Sequence, residues 1–314
     1  MQTKHDIKAI LGEDFFKEEV KCGYTIPAFM KKCWAVQIDL YFVFADICKR
    51  HDLKFFMFFG GLLGAVRHNG FIPWDDDLDV AMPRGDYEEF IKIAPQELVY
   101  PYFLRTPFTD PQCLYPIIDL VNSETTFIPK LFRRKNFNKG VPLDIFPIDY
   151  CDPNKVEEER KEILTYFLHC TNFMKRGCKG LNERQKKDLI TYYTDDPYAS
   201  YNKLHAIGAN PAYKGSDFVY ICNAIPNNHK ASNLIWPSSC FEKSISHPFE
   251  TFEVEIPIGY DIILKTLFGD YMAFPPVNER GAKNNQIFFD PDKPYSYYDA
   301  MSDEDLEVAL GIQS

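Results

Sequence analysis

The stretch Gly60–Val80 reads GGLLGAVRHNGFIPWDDDLDV and decides how the chain is interpreted. It follows the apolar run Leu53–Phe59, which the glycine pair ends and which predicts a buried strand. Leu62–His68 predicts one or two helical turns, and a loop then leads to a second predicted strand at Leu78–Met82. A buried strand, a short helix and a second strand in this order predict a core of the α/β class.

Four carboxylates are crowded into five residues of this stretch: Asp75, Asp76, Asp77 and Asp79. If the run is an extended strand, Asp75, Asp77 and Asp79 point to one face, and Asp76 points to the other with the apolar residues. Two carboxylates about 4 Å apart repel each other by roughly 4 kcal/mol at an effective dielectric near 20. Closely spaced oxygen ligands are typical of Mg²⁺ or Mn²⁺ sites, so we expect these three acids to bind such an ion. A solvated acidic turn is the alternative, and the apolar neighbours argue against it.

A further carboxylate is expected from the segment 141–149, which reads VPLDIFPID. Asp144 is a lone acid between apolar residues, and a buried acid must be paired or bound to a metal. We therefore predict that Asp144 joins Asp77 and Asp79 as a catalytic and metal-binding group. Asp149 is the second choice, because an acid at the end of a strand is also a common helix cap. Prolines at 142 and 147 predict that this strand is short or lies at an edge.

Other residues around the acidic run are suited to phosphate. Gly60 and Gly61 lack side chains, so their backbone amides can approach a phosphate closely. Arg67, His68 and Arg84 flank the run and are predicted to bind phosphate or substrate, since guanidinium groups form paired hydrogen bonds with phosphate oxygens. For Arg67 and His68, a purely structural hydrogen bond is an equally good interpretation.

Charge and composition exclude several classes of protein. The chain of 314 residues has a formal net charge of −10, which argues against a nucleic-acid partner. The apolar stretch 53–66 is too short for a membrane span and is interrupted by glycines. We see no signal segment and expect a cytoplasmic protein, with nine cysteines that are reduced and mostly buried. A zinc site at His169, Cys170 and Cys178 fits no usual ligand spacing.

The chain divides by character into three parts. Residues 1–150 predict a catalytic core with a mixed sheet, residues 151–235 a mostly helical insertion, and residues 236–314 a C-terminal segment that packs back on the core. No clear linker separates these parts, so we expect one integrated α/β unit.

These motifs resemble the LicD family, the phosphorylcholine transferases related to fukutin and fukutin-related protein. The resemblance rests on the stretch 60–80, on MPRGDY at 82–87, on LDIFPID at 143–149 and on HPFE at 247–250, with further patches near the end of the chain. It implies a nucleotidyltransferase-like fold, metal-binding acids at Asp75, Asp77, Asp79 and Asp144, and a CDP-linked donor. Gly61 stands where the family has a hydroxyl residue. Asp119 stands where the family often has a basic residue, so the donor or acceptor preference is expected to differ.

The reaction implied by the resemblance is the transfer of a phosphorylated alcohol to a hydroxyl of a cell-surface glycan or its precursor, with release of CMP. Phosphocholine is the first candidate for the transferred group. In this hypothesis Mg²⁺ ions at the acids bridge the donor's diphosphate. Trp74 stacks on the cytosine or lines a choline pocket. Two alternatives remain open: nucleotidyl transfer from an NTP, and a non-catalytic module that binds a nucleotide or glycan.

Overall fold

The architecture was analysed in a computed structural model, which describes residues 4–227, 234–281 and 287–312. It is a mixed α/β structure built around one mixed sheet with helices packed against it, so the predicted fold class is confirmed. The strands of the described residues are β1 (Glu19–Lys21), β2 (Tyr24–Ile26), β3 (Phe56–Phe58), β4 (Asp79–Pro83), β5 (Tyr102–Arg105), β6 (Ile118–Asn122), β7 (Thr126–Pro129), β8 (Val141–Tyr150), β9 (Phe218–Tyr220), β10 (Ile235–Pro237), β11 (Ser244–Phe249), β12 (Phe252–Pro257) and β13 (Ile287–Asp290).

The α-helices alternate with these strands in the first half of the chain and cluster after β8. In chain order they are α1 (Ile7–Leu11), α2 (Ala28–Arg50), α3 (Phe59–His68), α4 (Arg84–Glu97), α5 (Val156–Lys175), α6 (Glu183–Thr191), α7 (Pro197–Gly208), α8 (Tyr260–Phe268), α9 (Tyr295–Asp299) and α10 (Asp303–Ala309). None of the helices in the described ranges combines the length and the apolar character that a membrane crossing requires.

The main sheet is centred on β8 and has the strand order β10-β9-β8-β4-β3. β4 runs parallel to β8, whereas β3 is antiparallel to β4. β6 pairs antiparallel with the first half of β8 and carries β5 on its other side, and β9 pairs with the last two residues of β8. The strands on which the predicted acids lie are therefore direct neighbours.

The prediction that prolines would keep β8 short or at an edge is wrong, because β8 is long and central. The reason is the stagger of its neighbours. Pro142 pairs with β6 before the pairing with β4 begins, and Pro147 pairs with β4 after the pairing with β6 has ended. Each proline therefore has one flank without a paired strand, where the missing N–H costs no hydrogen bond of the sheet.

The hydrophobic core lies between the sheet and the long helix α2. One face of α2 is fully buried, with Trp34, Ile38 and Phe44 inside, and it packs on β6 and β8. Residues 151–235 supply α5, α6 and α7, and they also supply β9 and the first residue of β10 at the sheet edge. β13 of the C-terminal segment pairs with β7 of the first half. The domain boundaries stay a prediction, and these pairings describe how the three parts interlock.

Candidate active site

A row of charged side chains crosses the main sheet at one level. The register places Asp79 of β4 beside Asp144 of β8, Asp144 beside Asp119 of β6, and Asp119 beside Arg105 of β5. Residues paired across neighbouring strands point to the same face of a sheet, so their side chains converge. The structure thus joins Asp79 and Asp144, which are 65 residues apart in sequence, in one cluster.

The remaining acids lie in the loop that leads into β4. The loop is not a strand, and β4 begins only at Asp79, so the strict alternation expected from an extended run is wrong there. One carboxylate oxygen of each of Asp75, Asp76 and Asp77 lies within 4.8 Å of the others. Asp76 therefore belongs to the cluster instead of pointing away from it. The loop turns because the Asp75 N–H bonds to the Ile72 carbonyl (3.0 Å).

Helix α2 holds this acidic loop from behind. The Trp34 indole N–H donates to the Asp75 carbonyl (3.0 Å), and the Gln37 amide donates to the Asp76 carbonyl (2.9 Å). Both side chains are buried. The backbone of the loop is thus bonded to the core, so the acidic side chains are positioned before any ligand binds.

The glycine pair lies in the first turn of α3 and faces the acids. The Gly60 N–H donates to the Asp79 carboxylate. A Cβ on Gly60 would lie 2.5 Å from an Asp75 carboxylate oxygen, and one on Gly61 would lie 2.7 Å from the Met57 methyl group. Gly60 therefore allows the close approach of the acids, and its amide is used by a carboxylate. The predicted phosphate contacts of both glycines remain untested.

Burial and mutual repulsion raise the pKa values of these carboxyl groups. Burial, followed by the charges of Asp77 and Asp144, raises the pKa of Asp79 well above its usual range. Burial, followed by the charges of Asp119 and Asp77, does the same to the pKa of Asp144. The pKa of Asp75 is also raised well above normal by burial and by Asp77, and burial with the Asp76 charge raises the pKa of Asp77 to about 6. Such groups stay anionic together only beside a compensating cation.

The donor set fits a hard divalent cation. Its ligand atoms are all carboxylate oxygens, closely spaced and held by a preformed backbone, whereas zinc sites are usually built with nitrogen or sulfur. The alternative zinc group does not assemble: the His169 imidazole bonds to the Ser200 hydroxyl (2.9 Å), and the Cys178 thiol bonds to the Met174 carbonyl. All nine cysteines lie within the described residues, where each is free of disulfides.

Asp119 and Arg105 are site residues that the sequence analysis did not assign. The two side chains form a buried ion pair, with Arg105 Nε 2.7 Å from an Asp119 carboxylate oxygen. Arg105 also donates to the Asn138 carbonyl (2.6 Å), which fixes its guanidinium. The signal in the sequence was an acid inside the apolar run Ile117–Val121, but only the strand register brings it beside Asp144.

Arg84 and Asp149 lie apart from this cluster. Asp149 follows Asp144 by five positions, so the alternation of β8 directs it to the opposite face. Arg84 donates two hydrogen bonds to the two Asp149 oxygens (2.6 and 2.9 Å), and it contacts the buried His205 ring (3.2 Å). Burial and the Arg84 charge lower the pKa of His205 to about 3. The Arg84 guanidinium thus ties α4 to β8 and α7, and it lines neither of the cavities described below.

Arg67, His68 and Trp74 come together on the other side of the acids. The Arg67 guanidinium lies 6.0 Å from the centre of the Trp74 ring, and its Nε donates to His68 Nε2 (3.0 Å). Burial, with the Arg67 and Lys21 charges, lowers the pKa of His68 to about 4, so this imidazole is neutral at pH 7. Phe274 stacks on His68, with the ring centres 5.5 Å apart. A neutral His68 orients Arg67 and carries no charge toward a phosphate.

The loop between α3 and the acids is fixed by Glu250. Its carboxylate accepts from the Phe71 N–H (3.0 Å), and its own N–H donates to the Asn69 carbonyl (2.7 Å). A Cβ on Gly70 would lie 2.1 Å from a Glu250 oxygen, so any side chain there would displace the Glu250 carboxylate. Glu250 of the HPFE motif (residues 247–250) therefore holds in place the turn that precedes the acidic run.

Two large cavities meet at the acids. One, of about 950 Å³, lies between the sheet and helices α5 and α6, and it contains Asp77, Asp119 and Asp144 in its wall. The other, of about 1210 Å³, is bounded by α3, the acidic loop and the segment 268–281. Among the residues described as lining them, Asp77 is the only one common to both. The arrangement leaves room for a ligand on each side of Asp77.

Comparisons with known proteins agree with the sequence motifs. Residues 52–149 match the family model for the LicD/FKTN/FKRP nucleotidyltransferase domain. The chain is 25% identical over 247 residues to the lipopolysaccharide cholinephosphotransferase LicD of Haemophilus influenzae, which covers 76% of this chain and 89% of that protein. Uncharacterized proteins of Rickettsia typhi and Rickettsia prowazekii are 43% and 41% identical over 51 residues, which cover 16% of this chain and 16% and 19% of theirs.

Proposed function

We propose that the chain transfers a phosphorylated alcohol from a CDP-linked donor to a glycan hydroxyl, on the premise of its match to the LicD/FKTN/FKRP nucleotidyltransferase domain over residues 52–149 and its similarity to LicD of Haemophilus influenzae. Phosphocholine is the first choice for the transferred group, because the relative from Haemophilus influenzae is named as a cholinephosphotransferase acting on lipopolysaccharide. The acceptor in this proposal is a cell-surface glycan or its precursor.

The observation that carries the proposal is the position of Asp77, which lies in the walls of both cavities and close to the paired acids Asp79 and Asp144. A transferase needs its donor and its acceptor within bonding distance of one reacting atom. A carboxylate cluster alone would suit simple ion binding. A cluster with one member, Asp77, in the walls of two separate cavities is better suited to a reaction between two substrates.

In the proposed reaction, an oxygen of the acceptor hydroxyl forms a bond to the second phosphorus of the donor. The bond between that phosphorus and the bridging oxygen breaks, and CMP leaves with the bonding electron pair. Asp144 takes the proton of the acceptor hydroxyl, a role supported by its position in the cavity wall and its raised pKa. The Asp144 carboxylate must be ionised to do so.

Asp75, Asp77 and Asp79 are the residues proposed to hold Mg²⁺ or Mn²⁺, with Asp76 beside them. Bound there, such an ion supplies charge neutralisation at the diphosphate and at the leaving group. Trp34 and Gln37 keep the acidic loop in place through its carbonyl groups. Arg67 is proposed to contact phosphate oxygens from the cavity on the other side of the loop.

The test is an assay of the purified protein with Mg²⁺, CDP-choline labelled in the choline, and lipopolysaccharide as acceptor. We expect label in the lipopolysaccharide and an equal amount of CMP. Asp144→Asn should lower the rate at least a hundredfold, since general base catalysis contributes about 10²–10⁴. Asp14→Asn is the matched control, because Asp14 is an exposed acid near the N-terminus that lines neither cavity. Pyrophosphate from CTP, with no CMP from CDP-choline, would instead favour nucleotidyl transfer.

A further inference from the structure

The cavity bounded by α3 and the segment 268–281 contains two arginines that no carboxylate neutralises at close range. Arg67 and Arg280 both line this cavity, and among the described residues neither forms an ion pair. Both guanidinium groups lie 5.4 Å from the centre of the Phe274 ring, so they are near each other. Burial lowers the pKa of Arg67, the Arg280 charge lowers it further, and the Asp75 charge raises it. Two adjacent cations in a half-buried cavity are unfavourable unless an anion joins them.

Both guanidinium groups are held in fixed orientations by neutral groups. Arg67 donates to the carbonyls of Tyr271 (2.9 Å) and Ala273 (3.1 Å). Arg280 donates to the carbonyls of Pro275 (2.8 Å) and Cys22 (2.9 Å). Carbonyl oxygens orient the side chains without cancelling their charge. Each guanidinium keeps further N–H donors for a ligand, since it carries five.

Two aromatic rings complete this cluster. The Arg280 guanidinium lies 5.1 Å from the centre of the Trp74 ring and 5.4 Å from that of Phe274. Arg67 lies 5.4 Å from the same Phe274 ring. Phe274 is 46% exposed, so an apolar ring is left open beside the two cations. Fixed guanidinium groups beside open aromatic faces are suited to phosphate groups attached to a base.

The other cavity has a different character. Its wall contains the acids Asp119 and Asp144, the Arg105 there is already paired with Asp119, and apolar side chains of α5 such as Phe167 cover it. Its other basic residues, Lys175 of α5 and Arg184 of α6, contact no aromatic ring among the described residues, so this cavity has no counterpart of the arginine and ring cluster. The first cavity also contains acids: Asp75, Asp76 and Asp77 belong to the proposed cation site, whereas Asp270 and Glu279 are exposed and screened by solvent.

We infer that the cavity containing Arg67, Arg280, Trp74 and Phe274 binds the nucleoside diphosphate part of the donor, and that the acceptor enters through the cavity under α5 and α6. The inference rests on the proposed function and assigns its two substrates to the two sides of Asp77. It makes Arg280 a substrate-binding residue, although it lies 203 positions after Asp77, the last acid of the acidic loop.

The inference is tested by titration calorimetry of the full chain with CDP in the presence of Mg²⁺. Arg280→Gln should weaken CDP binding about tenfold, the usual effect of losing a charged hydrogen bond. Arg280→Lys should retain part of the affinity. Arg184→Gln is the matched control, because it removes the same charge from the wall of the other cavity, and it should change the affinity less than twofold.

A second variant guards against a folding defect in Arg280→Gln, whose hydrogen bonds also hold the segment near Pro275. Phe274→Leu removes only an exposed ring, and it should weaken CDP binding severalfold with an unchanged melting temperature. The inference is overturned if Arg184→Gln lowers the CDP affinity while Arg280→Gln and Phe274→Leu do not. If the unmodified chain neither binds CDP nor releases CMP from CDP-choline, both the proposed function and this inference are rejected.

Discussion

Asp77 carries the sharpest prediction for a single residue. Its pKa is about 6 in the folded chain against 3.8 for an unperturbed aspartate, so the folded state holds its proton more tightly than the unfolded state. The stability that this proton contributes is present below pH 3.8 and is lost as the pH rises through about 6. Without metal, Asp77→Asn should raise the free energy of unfolding at pH 8 by about 1 kcal/mol, after allowance for the exposure of the side chain.

Thermal melts in EDTA between pH 4 and pH 8 measure this effect. The difference between the variant and the unmodified chain should shrink toward pH 4. Asp14→Asn, at a fully exposed acid whose pKa is lowered by its bond to Lys17, should show no such gain. A metal-free Asp77→Asn protein that melts below the unmodified chain at pH 8 would show that Asp77 does not suffer the proposed repulsion.

Gly60 gives a second residue-scale prediction. A Cβ at this position would lie 2.5 Å from an Asp75 oxygen, so Gly60→Ala must displace that carboxylate. We expect at least a tenfold weaker response to Mg²⁺, because the ligand oxygens lose their spacing. Gly85→Ala is the control, since a Cβ there meets nothing within 4 Å. Thermal stabilisation by Mg²⁺ at increasing concentrations compares the two variants, and an unchanged response of Gly60→Ala would contradict the predicted ligand set.

At the scale of the element, the ion pair between β5 and β6 is predicted to contribute measurably to the free energy of unfolding. Arg105 is 4% exposed and pairs with Asp119, which is 2% exposed. Removal of one partner of a buried ion pair leaves a buried charge, which costs about 3–5 kcal/mol. Arg105→Met should therefore destabilise the chain by about that amount in urea unfolding. Combining it with Asp119→Leu should restore much of the loss, and no recovery in the double variant would contradict a pairwise origin.

At the scale of the whole molecule, the C-terminal segment is attached to the core by a buried lysine. The Lys139 side chain is fully buried, and its Nζ contacts an Asp299 oxygen of α9 at 2.9 Å. Asp299→Ala removes the only carboxylate described as bonded to this Nζ and should cost about 1–3 kcal/mol. Limited proteolysis of the segment 287–312 should become faster. Asp303→Ala, which removes an exposed partner of Arg134, should leave both measurements unchanged.

The sequence by itself determined the α/β class and the core acids. The apolar run of β3 and the acids at 75, 77, 79 and 144 were visible in short windows, where side-chain periodicity reports local structure. The family resemblance, which the comparisons confirm, also rested on short motifs that are each contiguous in sequence. Local pattern is sufficient there because each of these features spans fewer than about 25 residues.

Only the tertiary structure decided which distant residues meet. Strand register placed Asp119 beside Asp144 and sent Asp149 to the other face with Arg84, and chain folding brought Arg280 to Trp74. The stagger around β8 also made its two prolines harmless in a central strand. The physical reason is that these contacts join segments far apart in sequence, and no local pattern records which faces will pack together.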